Sequence, residues 1–118
     1  ERLFCEASRK TNNSATLAYN ICVATGTAKP KGHHSHHIVA QRAKAATESR
    51  TILFKAGIGI NDYRNGFNLS RQEHEGLHTL VYYGKVTYLL TLVQEDGTEK
   101  VGQTLMAIGN SIKQGTFV

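Results

Sequence analysis

HHSHHIV, residues 33–39, holds four of the chain's six histidines and runs straight into a β-branched pair, Ile38 and Val39. β-Branched side chains suit the pleated, half-buried surface of a sheet, so the stretch predicts a short strand beginning at the histidines. The other two, His74 and His78, stand in HEGLH, residues 74–78. On a helix, positions four apart share one face, with about 5–6 Å between Cβ atoms. Both imidazoles of the helix can then meet one cation, and the first cluster could supply a third ligand. Imidazole donors suit zinc, nickel or copper better than magnesium, and a catalytic zinc commonly keeps three protein ligands and one open position. A histidine left over beside such a site is a candidate general base.

Working outward, Thr25 to Gly32 (TGTAKPKG) contains the only proline and reads as a linker into the strand. Upstream, a short helix is expected around Ala15 to Val23. Downstream, Ala43, Ala46, Ile52, Leu53 and Ala56 fall near helical spacing and Gly57 is a natural stop, predicting a helix over about 40–56. Asn65-Gly66 is a turn signal, and Phe67 to Leu69 a short strand. Ser70 and Glu73 form an S-x-x-E capping box that would open a helix through both His74 and His78. Its apolar stripe would continue through Leu77, Leu80, Val81 and Tyr88. After a turn at Asp96-Gly97, Val101, Leu105, Ile108 and Ile112 mark a last amphipathic helix over 99–114, ended by Gly115. The sum is an α-rich α+β single domain with a small β element beside the histidines.

Charge is concentrated in the same place. Between residues 29 and 71, eight cations (Lys29, Lys31, Arg42, Lys44, Arg50, Lys55, Arg64, Arg71) face only Glu48 and Asp62, a local net of +6 within a total of +5. Such focusing suits a polyanionic partner, nucleic acid above all. No apolar run approaches the roughly 20 residues of a membrane span. Cys5 and Cys22 are open to two readings, buried thiols or a disulfide closing an N-terminal loop. The chain begins at Glu1, so a piece of a longer protein is expected.

The order S-H-H-I-V, L-F-K-A-G-I, R-N-G-F-x-L and H-x-x-x-H-T-x-x-Y-Y, over roughly residues 32–92, resembles the AHH family of toxin nucleases in the HNH/endonuclease VII superfamily. The resemblance implies a ββα-metal (His-Me finger, treble-clef-like) catalytic core at 32–92. Residues 1–31 would then be an N-terminal extension and 93–118 a C-terminal helix packed on the core. It implies His36, His74 and His78 as ligands of one divalent ion (Zn2+, Ni2+, Mg2+ or Mn2+, the first two favoured by the imidazoles). It further implies His37 as general base and Asn65 as the residue tying the β-loop together. Ser35 stands where the family usually has Ala. Arg42, Lys44, Arg64 and Arg71 are the candidate nucleic-acid contacts. A register in which His33 and His34 do this work is the alternative.

The activity implied is metal-dependent endonucleolytic hydrolysis of a phosphodiester, with double-stranded DNA the usual target and RNA open. The family also implies delivery as a secreted or surface-borne toxin, action in the cytoplasm of a target bacterium, and a cognate immunity protein. Two rival readings remain. HEGLH matches the H-E-x-x-H pattern of zinc proteases, with Glu75 as base and Glu95 or Glu99 as third ligand. A metal-stapled nucleic-acid-binding module without catalysis is the other.

Overall fold

The backbone of His33–His37 (β1) is extended and pairs antiparallel with Gly66–Ser70 (β2), with His33 opposite Ser70 and His37 opposite Gly66. The computed structural model describes Cys5, residues 13–74 and residues 76–117, without the side chains at 13, 14, 73 and 74. Around the two-stranded sheet lie α1 (Asn13–Thr25), α2 (Thr47–Ala56), α3 (Arg71–His74), α4 (Leu80–Val93) and α5 (Thr98–Lys113). The fold is α+β, as the pattern of elements predicts.

One core joins the helices to the hairpin. Ile38, Val39, Phe67 and Leu69 from the β-region pack with Ile52 and Leu53 of α2, Tyr82, Val86 and Leu90 of α4, and Val101, Leu105, Ile108 and Ile112 of α5. Each fully buried aliphatic or aromatic side chain contributes about 1.5–3 kcal/mol. α5 comes close because two of its contact positions lack side chains. A Cβ on Gly109 would sit 3.4 Å from Ile38 Cδ1, and one on Gly102 would sit 2.8 Å from an Arg64 guanidinium nitrogen. α1 covers the hairpin from the other side, where Leu17 is fully buried and a Cβ on Gly66 would lie 2.6 Å from its Cδ1. Cys5 and Cys22 form a disulfide, buried with Tyr19 in a small satellite cluster. The pair is therefore the bridge, not two free thiols.

Four local expectations are corrected. The helix expected over about 40–56 begins only at Thr47, after a 3-10 turn at Lys44–Ala46. The carbonyls of Ala40 and Ala43 are held by the Arg50 guanidinium, both at 2.8 Å, and that of Ala43 also accepts from Ala46 N at 3.1 Å in the 3-10 turn. The turn at Asn65-Gly66 is displaced: a 3-10 turn spans Tyr63–Asn65, capped by the Asp62 side chain, and Gly66 is already extended strand. The helix expected to carry both His74 and His78 is broken. α3 ends at His74, Gly76 takes a left-handed φ of 76°, and Thr79 starts a new helix by accepting from Tyr82 N. Only glycine adopts that φ without strain, and threonine is a strong N-cap. Finally, α4 buries Tyr82, Val86 and Leu90, whereas Leu80, Val81 and Tyr88 are 79%, 65% and 62% exposed. The capping partner expected for Ser70, the Glu73 side chain, lies outside the described residues.

Candidate active site

Successive side chains of a strand point to opposite faces. Ser35 and His37 therefore leave β1 on one face, and His34 and His36 on the other. On the first face, Ser35 Oγ donates to Asn68 Oδ1 across the strand pair. His37 Nε2 lies 2.7 Å from Asn61 Oδ1. On the second face, the half-buried His36 ring packs against Phe67, centroids 5.8 Å apart, with the exposed His34 at 6.3 Å. His33, at the start of the strand, is half-buried, its Nδ1 3.4 Å from Lys31 O.

The segment just past His37 is held from two sides. Asn65 is fully buried. Its backbone carbonyl accepts from Ile38 N at 2.8 Å. Its side-chain Oδ1 accepts from Val39 N at 2.8 Å. Its Nδ2 donates to Ile60 O at 2.8 Å and Val39 O at 3.3 Å. From the opposite side the Tyr82 hydroxyl donates to Ile38 O at 2.6 Å. Burial of Tyr82 pushes its phenol well above the usual range, with Tyr83 adding to the shift, so it stays a donor.

His78 is exposed and lies in the loop between α3 and α4. Its ring lies 4.9 Å from that of Tyr82 and stacks on Tyr83 at 5.8 Å. Tyr82 therefore links the His78 loop to Ile38, the residue after the His36-His37 pair. The side chain of His74 and all of Glu75 lie outside the described residues, so the position of the third candidate ligand and of the protease-type base is not described. Among the described residues no three His, Cys, Asp or Glu side chains close on one point. The donor chemistry of His36 and His78, two imidazoles, nonetheless suits a divalent transition ion. The break removes the helical spacing on which both the H-E-x-x-H protease pattern and the expected shared face of His74 and His78 rested.

The candidate cations divide. Arg42, Lys44 and Arg71 are exposed. Arg64 instead holds Asp62 through two parallel bonds of 2.9 Å, from Nε to Oδ1 and from NH2 to Oδ2. That hydrogen-bonded guanidinium holds the Asp62 carboxyl below its usual value despite partial burial. Arg50, counted with the cations in sequence, is likewise spent on the Ala40 and Ala43 carbonyls. Asn61 and Asn20 went unrecognised in sequence. Asn61 sits in the Gly- and Asn-rich stretch GIGINDYRNG, residues 57–66, where Asn65-Gly66 alone stands out as a turn signal.

No curated protein and no solved structure matches the chain. A family model does: a nuclease family of the HNH/ENDO VII superfamily with conserved AHH, matched over residues 18–112. That span takes in α1 from Ala18 onward and nearly all of α5 as well as the histidine-bearing hairpin. With most of its length covered, the chain belongs to the AHH nuclease family of the HNH/endonuclease VII superfamily.

Proposed function

We propose that the protein is a metal-dependent endonuclease that hydrolyses phosphodiester bonds, with DNA as its substrate. His37 is the general base and accepts the proton of the attacking water. Asn65 braces the backbone behind it. One divalent ion, held by His36, His74 and His78, would supply electrostatic stabilisation of the charge developing on the phosphate. Superfamily practice supports a divalent metal, and the imidazole donors favour zinc or nickel. His36 and His37 leave β1 on opposite faces. The reading therefore requires the phosphate to sit at the strand's exit, where both rings can reach it. Exposed Arg42, Lys44 and Arg71 would hold the flanking backbone. Arg64 contributes through Asp62 and the turn rather than as a free cation.

The observation that carries this reading is the double clamp directly after His37: Asn65 on Ile38 N and on both backbone groups of Val39, and Tyr82 on Ile38 O. A base must be held in register with its substrate. The buried side-chain clamps of Asn65 and Tyr82 fall on the residues directly after His37, whereas His34 sits within the strand pairing, opposite Leu69. That supports the His36-His37 register over His33-His34. The toxin role, export from a producing cell, action in a target cytoplasm and a cognate immunity protein rest on the resemblance to toxin nucleases. The Cys5–Cys22 bridge is compatible with passage through an oxidising compartment.

The test incubates purified protein with plasmid DNA and with RNA, in EDTA and in Mg2+, Mn2+, Ni2+ and Zn2+, beside His37→Ala and His34→Ala. Cleavage in at least one metal, none in EDTA, and loss of roughly 10²–10⁴-fold in His37→Ala alone is the expected result. Parent-level cleavage by His37→Ala removes the base assignment, and loss in His34→Ala instead moves the register. Binding without cleavage in every metal points to the non-catalytic module.

A further inference from the structure

We infer that Asn61 is the positioning residue of His37, and that Asn20 of α1 holds Asn61 in place. The inference rests on the reading of His37 as general base.

Asn61 lies in the loop between α2 and the Tyr63–Asn65 turn. Its side-chain oxygen is 2.7 Å from His37 Nε2. An amide oxygen only accepts, so the imidazole must donate from Nε2, and in the neutral ring the lone pair then belongs to Nδ1. The contact thus selects both the tautomer and the ring orientation. It makes Nδ1 the nitrogen available to take a proton.

Asn61 is itself held. Its backbone carbonyl accepts from Asn20 Nδ2 at 2.7 Å, a bond that crosses from α1 to the loop. The next residue, Asp62, donates its N–H to Gly59 O at 3.0 Å and grips Arg64. Arg64 in turn lies against Gly102 of α5. The loop is pinned at Asn61 by the first helix and is tied toward the last through Asp62 and Arg64. α1 is therefore part of the apparatus that sets the base, although the resemblance seen in sequence began only after it.

The full-length chain is compared with Asn61→Ala, Asn61→Asp, Asn20→Ala and His37→Ala by circular dichroism and by two functional measurements. Nitrogen-15 shifts of the His37 ring, recorded at alkaline pH where imidazoles are neutral, report which nitrogen carries the proton. Steady-state cleavage in the metal that supports the parent separates kcat from KM. The parent ring is expected to be protonated at Nε2. Asn61→Ala should mix the tautomers and lower kcat about 10-fold or more with KM nearly unchanged. Asn61→Asp retains an acceptor and should restore the Nε2–H form and most of kcat. Asn20→Ala should shift both measurements in the same direction by a few-fold.

A parent ring protonated at Nδ1 overturns the proposal. So does an Asn61→Ala protein with parent tautomer and kcat beside an inactive His37→Ala, an outcome that leaves the base reading intact. Parent-rate cleavage by His37→Ala overturns both. Should Asn61→Ala fail to fold, Asn61→Asp and Asn20→Ala decide. Loss of the Nε2–H form or of kcat in Asn61→Asp, with no change in Asn20→Ala, is then the overturning result.

Discussion

The side-chain amide of Asn65 grips the backbone of Val39 at both ends, accepting from its N–H at 2.8 Å and donating to its carbonyl at 3.3 Å. It mimics one rung of a sheet where β1 has already ended. The same amide also reaches Ile60 O, so one fully buried side chain ties the chain after His37 to the loop that carries Asn61. Asn65→Ala leaves a buried N–H and two carbonyls without their partner. At about 1–3 kcal/mol for a buried group left unpaired, a total loss of about 2–4 kcal/mol is expected from urea unfolding. Asn65→Asp, nearly the same shape, should cost at least as much, because an oxygen replaces the donor facing two carbonyls.

Tyr82→Phe removes only the hydroxyl on Ile38 O. A loss of about 1–2 kcal/mol is expected, with cleavage reduced because Ile38 follows His37. The phenol's raised pKa gives a second check. In an ultraviolet titration of the five tyrosines, Tyr82 should be the last to ionise, and that late step should vanish in the variant. The sign follows from linkage. A phenol raised in the fold favours unfolding only once the unfolded chain can ionise. Its effect is absent below the unfolded value of 10.0, and stability falls as pH rises beyond it.

A Cβ on Gly66 would meet Leu17 at 2.6–2.9 Å, and Leu17 has no exposed route of retreat. The φ of Gly66 is −145°, so strain in the backbone is not the obstacle. Gly66→Ala should therefore cost about 1–3 kcal/mol by overpacking. Leu17→Ala alone should cost about 2–5 kcal/mol. The double variant should cost clearly less than the two together, since the second change opens the space the first one needs. Additive losses would show that α1 does not press on β2.

What was legible in the sequence is what local pattern encodes. The strand expected at the histidines forms, but over His33–His37, ending just before the Ile38-Val39 pair that suggested it. The spacing of Val101, Leu105, Ile108 and Ile112 announced α5, because burial on one face repeats at the period of the element. The broken helix at HEGLH was not legible. His74 and His78 have helical spacing, and the left-handed Gly76 inside that spacing and the capping Thr79 just beyond it are single residues. The buried face of α4 was misread for a related reason. Leu80, Val81 and Tyr88 are as apolar as Tyr82, Val86 and Leu90, and only tertiary packing chooses between the faces. In the candidate site, the two histidine clusters and Asn65 stand out by composition and motif. Asn61 does not, because its bond to His37 spans 24 residues and its own anchor on Asn20 spans 41.

The exposed cations should separate from the engaged one in binding experiments. Arg42→Ala, Lys44→Ala and Arg71→Ala should each weaken duplex DNA binding across sequences. Each should also reduce the slope of log affinity against log salt by about 0.9 for every phosphate that the variant no longer neutralises. Unchanged slopes in all three would move the nucleic-acid surface elsewhere. Arg64→Ala should instead show its main effect in unfolding, because its guanidinium is committed to Asp62.

Asp62 gives the acid-side counterpart. Its carboxyl caps the Tyr63–Asn65 turn by accepting from Arg64 N and also holds the Arg64 guanidinium. Arg64, first through its side-chain hydrogen bond, lowers the Asp62 pKa below 3.8. A lowered carboxyl contributes stability that is fully present above the unfolded value and is lost as pH falls through the folded one. Both side chains remain about a quarter exposed, at 25% and 22%, so solvent screens the pair. Asp62→Asn should then cost about 1 kcal/mol at neutral pH, for a weakened cap and a broken ion pair. The gap between parent and variant should close as pH falls below 3.8, where the parent carboxyl itself takes up a proton. Urea unfolding at a series of acid pH values measures that gap, and a constant difference down to the acid limit would mean that the cap's shape, not its charge, holds the turn.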